Sequence, residues 1–201
     1  MNFLAHLHIA HHCESNMLGN LLGDFVKGDP DKQFSPAIAK GIRLHRSVDS
    51  YTDTHEMVKH CKSLFSVDNR RFAPIAMDMF WDHCLAKSWD SHHAMTLASF
   101  VNFAQIEVNT ACEVDSVLLP ERFIRMSDYM WRERWLESYR DFDNVCYALE
   151  RMSQRSLRMG PLAECGTDLA RNYSVFSDCF DELYPNVLDF SLQTHTNLMV
   201  D

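Results

Sequence analysis

Between residues 35 and 64 the apolar positions Ile38 and Ile42 stand one helical turn apart and mark the buried stripe of an amphipathic helix. Ser35 is placed to cap this helix and Pro36 suits its first turn. No proline lies between Pro36 and Leu64, and the single glycine there, Gly41, is tolerable, so the pattern predicts one helix to about Leu64. Two helices precede it, from Asn2 to about His12 and from about Ser15 to Lys27, the second closed by the helix-breaking run Gly28-Asp29-Pro30-Asp31. Further helices are predicted over about Ala73 to Trp89, His92 to Cys112, Glu121 to Tyr139 and Phe142 to Leu157. A last one runs from about Pro161 towards Thr194 with a break near Pro185.

Polar residues interrupt several of the stripes that should be apolar. The stripe through Ile38 and Ile42 continues onto His45, Asp49 and then Thr52 or Asp53. A charge on a buried face is costly unless it is paired or bound to a metal. Taken alone, His45 and Asp49 read as a hydrogen-bonded pair one turn apart. In the segment 73–89, Ile75, Met79 and Leu85 mark an apolar face that Asp78, Asp82 and His83 interrupt or flank, with Asp78 and Asp82 one turn apart. There Asp82 also reads as a cap or ion-pair partner, and His83 as a satisfied core histidine. His6 shares a face with Phe3, whereas His8, His11 and His12 are assigned to solvent or to a helix end. Asp24, within Gly19-Asn20-Leu21-Leu22-Gly23-Asp24-Phe25, is the only acid of an otherwise apolar helix and needs a partner.

Three or four helices each supplying an acid or histidine where an apolar residue is expected point jointly to a divalent metal. Mixed imidazole and carboxylate donors suit manganese, iron or zinc, and carboxylate-rich sites with water favour manganese or magnesium. Such a metal polarises a phosphoryl oxygen and acidifies a bound water, which is the chemistry of phosphate-ester hydrolysis. The cations nearest in sequence are Lys27, Arg43 and Arg46, which serve either as phosphate contacts or as ordinary surface charge.

Composition adds bounds. A chain of 201 residues that is 46% hydrophobic suits one domain spanning 1–201, and six glycines with six prolines are few for short strands and tight turns. The expectation is an all-α, irregular helical bundle. Seven scattered cysteines form no Cys-x-x-Cys pair and read as reduced thiols, and no run approaches the roughly 18 apolar residues of a membrane span. Together with an N-terminal stretch unlike a signal peptide, this predicts a cytoplasmic protein away from membranes. A net charge of −9 argues against a general nucleic-acid binder but leaves room for a local basic patch, and 13 arginines against six lysines favour planar recognition of phosphate or carboxylate.

The opening Asn2-Phe3-Leu4-Ala5-His6-Leu7-His8, the segment Gly19 to Gly28, His45-Arg46-Ser47-Val48-Asp49 and Met79-Phe80-Trp81-Asp82-His83 resemble the acyl carrier protein phosphodiesterase family. Tyr129-Met130-Trp131 and the segment Trp135 to Asp141 look like it too, so the resemblance spans most of the chain in order. It implies a fold like that of the HD phosphohydrolases, manganese as the favoured metal, and hydrolysis of the phosphodiester joining 4′-phosphopantetheine to serine of holo acyl carrier protein. The adjacent His-Asp dipeptide of that superfamily is absent, and Asp82-His83 runs in reverse order. On this resemblance the metal ligands are His6, Asp24, His45, Asp49 and Asp82, and His83 acts as acid or base for the leaving serine oxygen, with Lys27 beside the phosphate. Carrier proteins are acidic, so docking requires an arginine-rich face, with Arg43 and Arg46 at its centre and Arg70 and Arg71, or Arg122, Arg125, Arg132 and Arg134, around it. Two other readings stand beside this one: an HD-type phosphohydrolase of a nucleotide or other small phosphate ester, and a non-catalytic helical binding protein with a polar core.

Overall fold

A computed structural model of the chain describes residues 1–115 and 118–200, and among them every regular element is helical. Eleven α-helices follow one another: α1 (Phe3–His12), α2 (Met17–Leu22), α3 (Pro36–Thr54), α4 (Glu56–Ser63), α5 (Ala73–Lys87), α6 (Leu97–Val114), α7 (Glu121–Arg132), α8 (Trp135–Ser138), α9 (Phe142–Ser153), α10 (Leu162–Arg171) and α11 (Tyr173–Val200). The all-α bundle expected from sequence is what forms. None of the described helices is long and apolar enough to cross a membrane, and all seven cysteines are free thiols.

Several elements are shorter than their patterns suggested, and local polar groups explain why. The helix expected from Ser35 to Leu64 is two helices, broken at His55, whose backbone is extended (ψ 136°) and whose Nδ1 accepts the Met57 N–H at 3.3 Å. A histidine thus does the work of a break and a cap without any proline. Ser35 does not cap α3 with its side chain; its hydroxyl donates to Asp115 (2.8 Å). The second helix stops at Leu22, which leaves Asp24 on a turn rather than on a helix. The fifth starts at Leu97, not His92, where Thr96 Oγ1 accepts the Ser99 N–H. The sixth breaks at Arg134, which adopts a left-handed backbone (φ 51°), and the seventh ends at Ser153. The last region breaks at Asn172, whose side-chain amide donates to the Asp168 carbonyl and so competes with the helix, while Pro185 lies within a continuous α11.

α5 is buried on nearly every side, from Ala76 and Met77 through Met79 to Ala86, and forms the axis of the bundle. Against it α1 packs one face, and α2 lies across α3. That last crossing is a contact of backbones. A Cβ added at Gly19 would lie 2.4 Å from the Ile38 carbonyl oxygen, and one added at Gly41 would lie 2.8 Å from the Asn16 carbonyl oxygen. Gly41 is therefore required by packing, beyond being tolerated by its helix.

Replacing Gly41 by alanine is expected to destabilise the protein by about 1–3 kcal/mol through overpacking, even though alanine is the better helix former. Thermal denaturation should show Tm falling by roughly 2–4 °C per kcal/mol. A Tm equal to or above that of the parent would show that the crossing is not tight.

Candidate metal centre

α1, α3 and the turn leaving α2 converge on one cluster. α3 presents His45 and Asp49 one turn apart, as its stripe predicted, and α1 presents the buried His6. The His45 Nδ1 lies 2.7 Å from the Asn20 backbone oxygen. A carbonyl only accepts, so Nδ1 carries the proton and Nε2 faces the cluster. There Nε2 lies 3.0 Å from Asp49 Oδ2 and 3.5 Å from Asp24 Oδ1, buried, yet aligned for a hydrogen bond with neither. The His6 Nε2 sits 3.1 Å from Asp49 Oδ1, and the two imidazole rings stack at 3.8 Å. One ligand atom each from His6, His45 and Asp49 fall within 4.8 Å of one another. Gly23 makes room for this arrangement, since a Cβ there would come within 2.1 Å of the His45 ring.

The charges of the cluster are interdependent. Burial, helped by the neighbouring charge of His45, pushes His6 down to about 4. Burial also opposes a charge on His45, but the carboxylates of Asp24 and Asp49 outweigh it and hold His45 up to about 9. Asp24 is lowered, mainly by His45. Asp49 is held well below the usual carboxylate range by His6 and His45, against the effect of its burial. It also accepts from the Met1 amino group at 3.3 Å, which Asp78 binds at 2.8 Å. Two carboxylates thus focus negative charge on the lone-pair side of His45 Nε2, where either a proton or a metal ion satisfies it. Two imidazole nitrogens with carboxylate oxygens are a donor set that manganese, iron or zinc accepts.

The remaining sequence candidates lie elsewhere. Asp82 is fully buried and accepts the backbone N–H groups of Leu4 (2.9 Å) and Ala5 (3.0 Å), so it caps α1 from α5 and stands outside the group of three ligand atoms. Burial pushes it up to about 7. His83 donates from Nδ1 to the Tyr139 carbonyl (2.7 Å), accepts at Nε2 from the Tyr173 hydroxyl (2.6 Å), and lines a separate cavity of about 610 Å³ with Lys87, Arg140 and Asp141. Lys27 is exposed on the loop after Asp24. Arg46 donates to the carbonyls of Val26 (2.7 Å) and Gly28 (2.8 Å), and Arg43 pairs with Asp29 (3.0 Å) and Asp31. Both arginines, expected at the centre of a substrate face, clip the loop onto α3. His8, assigned to solvent from sequence, is buried against the Tyr184 hydroxyl (2.7 Å). Sequence reasoning passed over Asn20 and Gly23, which orient and admit His45; the glycine next to Asp24 was the available signal.

A family model described as acyl carrier protein phosphodiesterase matches residues 1–187. Among curated proteins, acyl carrier protein phosphodiesterases from Yersinia enterocolitica and Serratia proteamaculans are each 40% identical over 189 residues, covering 94% of this chain and 96% of the relative. That from Salmonella newport is 39% identical over the same length. No solved structure matches.

Because a proton and a metal compete for His45 Nε2, manganese affinity should rise from pH 7 towards 9, by up to about tenfold per unit below the His45 pKa. In metal-free protein the sign is reversed. His45 is raised to about 9 from its ordinary 6.5, so its stabilising charge is complete below 6.5 and is lost as pH climbs through about 9. Calorimetric manganese titrations at pH 7, 8 and 9 check the first point, and an affinity independent of pH would count against the assignment. Gly23→Ala should lose manganese binding while retaining the helical circular-dichroism spectrum.

Proposed function

The chain belongs to the acyl carrier protein phosphodiesterase family, and we propose that it hydrolyses the phosphodiester joining 4′-phosphopantetheine to a serine of holo acyl carrier protein at the cluster of His6, His45, Asp49 and Asp24. The observation that carries this reading is the buried His45 Nε2, which the Nδ1 bond to the Asn20 carbonyl turns towards the carboxylates of Asp49 and Asp24 at 3.0 and 3.5 Å. A divalent metal, manganese in the first place, supplies a Lewis acid and a water of lowered pKa when bound there.

The chain's own groups then divide the work. His6 and His45 are buried and stacked, which fixes two nitrogens rigidly, and Asp49 spans both. Asp24 is 59% exposed and forms the solvent side of the cluster, so the phosphate approaches past it. Lys27, exposed three residues later on the same loop, is the cation in this reading that meets the phosphate. Arg43 and Arg46 act by holding that loop, and Asp82 by holding α1. The protein works in the cytoplasm as one catalytic domain over 1–201, of which residues 116, 117 and 201 lie outside the described ones.

The test is incubation of holo acyl carrier protein with the protein and manganese, with and without chelator, followed by mass spectrometry of the carrier. The prosthetic group should be lost only when metal is available. Loss of groups that merely support ligands costs about 10–100-fold in many metal enzymes, so Asp24→Ala, His45→Ala and Asp49→Ala should each fall by at least about a hundredfold. Turnover that survives chelation, or near-normal turnover in Asp49→Ala, would refute the proposal.

A further inference from the structure

We infer that the outer face of α7, centred on Arg122 and Arg125, is where an acidic protein surface docks beside the metal centre; naming that partner as the carrier protein rests on the proposed phosphodiesterase activity. Positions 122, 125, 129 and 132 follow one another at intervals of three or four and share one exposed face, while Phe123 and Met130 turn to the core. The face is built of arginine and tyrosine, residue types that carry much of the energy in protein interfaces. Arg132 stacks over the Tyr129 ring at 4.6 Å and is neutralised by Asp128 and Glu133. Arg122 and Arg125, among the described residues, have no carboxylate partner.

Arg122 is also tied to the site. Its guanidinium lies 5.4 Å over the ring of Phe25, the residue after Asp24. Phe25 packs edge-on against Phe123 at 5.4 Å and stacks on Phe3 at 6.5 Å, one turn before His6 on α1. An aromatic wall therefore joins the first turn of α7 to the rim of the cluster. Arg43 is neutralised by Asp29 and Asp31, and the Arg46 guanidinium is held by the backbone carbonyls of Val26 and Gly28. On a chain of net charge −9, an approaching acidic surface is repelled except where uncompensated cations are grouped, and this face groups two of them next to the reacting centre.

The experiment measures binding of apo acyl carrier protein, which lacks the prosthetic arm, to the metal-free protein at low and at raised salt. Charge reversal of both residues (Arg122→Glu with Arg125→Glu) should weaken Kd at least tenfold and flatten its salt dependence, and the milder Arg122→Gln with Arg125→Gln should weaken it less. Arg151→Glu on α9 should leave it unchanged. With holo carrier and manganese, the reversal should raise KM while kcat and cleavage of a small chromogenic phosphodiester stay within about twofold. An unchanged Kd in the reversed variant overturns the docking face even when the wild type cleaves holo carrier. Equal loss on the small diester also overturns it, placing the arginines at the chemistry instead. A wild type that binds apo carrier tightly through these arginines yet never releases the prosthetic group sinks the phosphodiesterase reading alone.

Discussion

Backbone meets backbone where α2 crosses α3, and the cluster of His6, His45, Asp24 and Asp49 inherits its dimensions from that contact. With Gly19 and Gly41 facing one another, no side chain separates the two helices, so the carbonyl of Asn20 comes within reach of His45 on α3. One residue beyond the end of α2, Gly23 leaves the space the imidazole occupies, and Asp24 follows at once beside Nε2. Bulkier residues at either helix surface would push the chains apart and leave the ring with neither its orienting carbonyl nor its acidic neighbour. The spacing of donor atoms is thus decided by residues that carry no functional group.

A buried charge without a partner is expensive, and the cluster avoids that penalty by sharing. Asp49 serves His6, His45 and the Met1 amino group, while Asp24 and Asp49 share the same imidazole nitrogen. A lone histidine at this depth would be neutral, as His6 is. The second carboxylate is what keeps a positive species favourable at His45. The site is in this sense built for a cation before any particular cation is considered.

Periodicity made the α3 part of the site legible. Ile38, Ile42, His45 and Thr52 of the stripe are buried as read, and Asp49 lies half-buried at its edge. It found the anomaly at Asp82 as well, but not its meaning, because the partner is the backbone of a helix 77 residues earlier in the chain. The same limit explains Arg43 and Arg46. Their neighbours in sequence are His45 and Asp49, but their partners in space are the carbonyls and acids of residues 26–31. Asp24 was recognised as an acid in need of a partner while its setting was misread, since a short apolar run does not reveal that the helix ends at Leu22. Breaks made by side chains, at His55 and Asn172, left no glycine or proline to mark them.

Asp82 has a consequence that reaches past its own contacts. α1 lacks a side-chain cap of its own, the Asn2 amide donates to the Met79 sulfur, and the leading amides of the helix are met from the side by a carboxylate on the central helix. The height of α1 along its axis is therefore gauged from α5, and with it the level at which His6 faces His45. The axial helix of the bundle serves as a datum for the candidate ligand atoms: a slip at the Asp82 carboxylate would be carried along α1 to the His6 nitrogen.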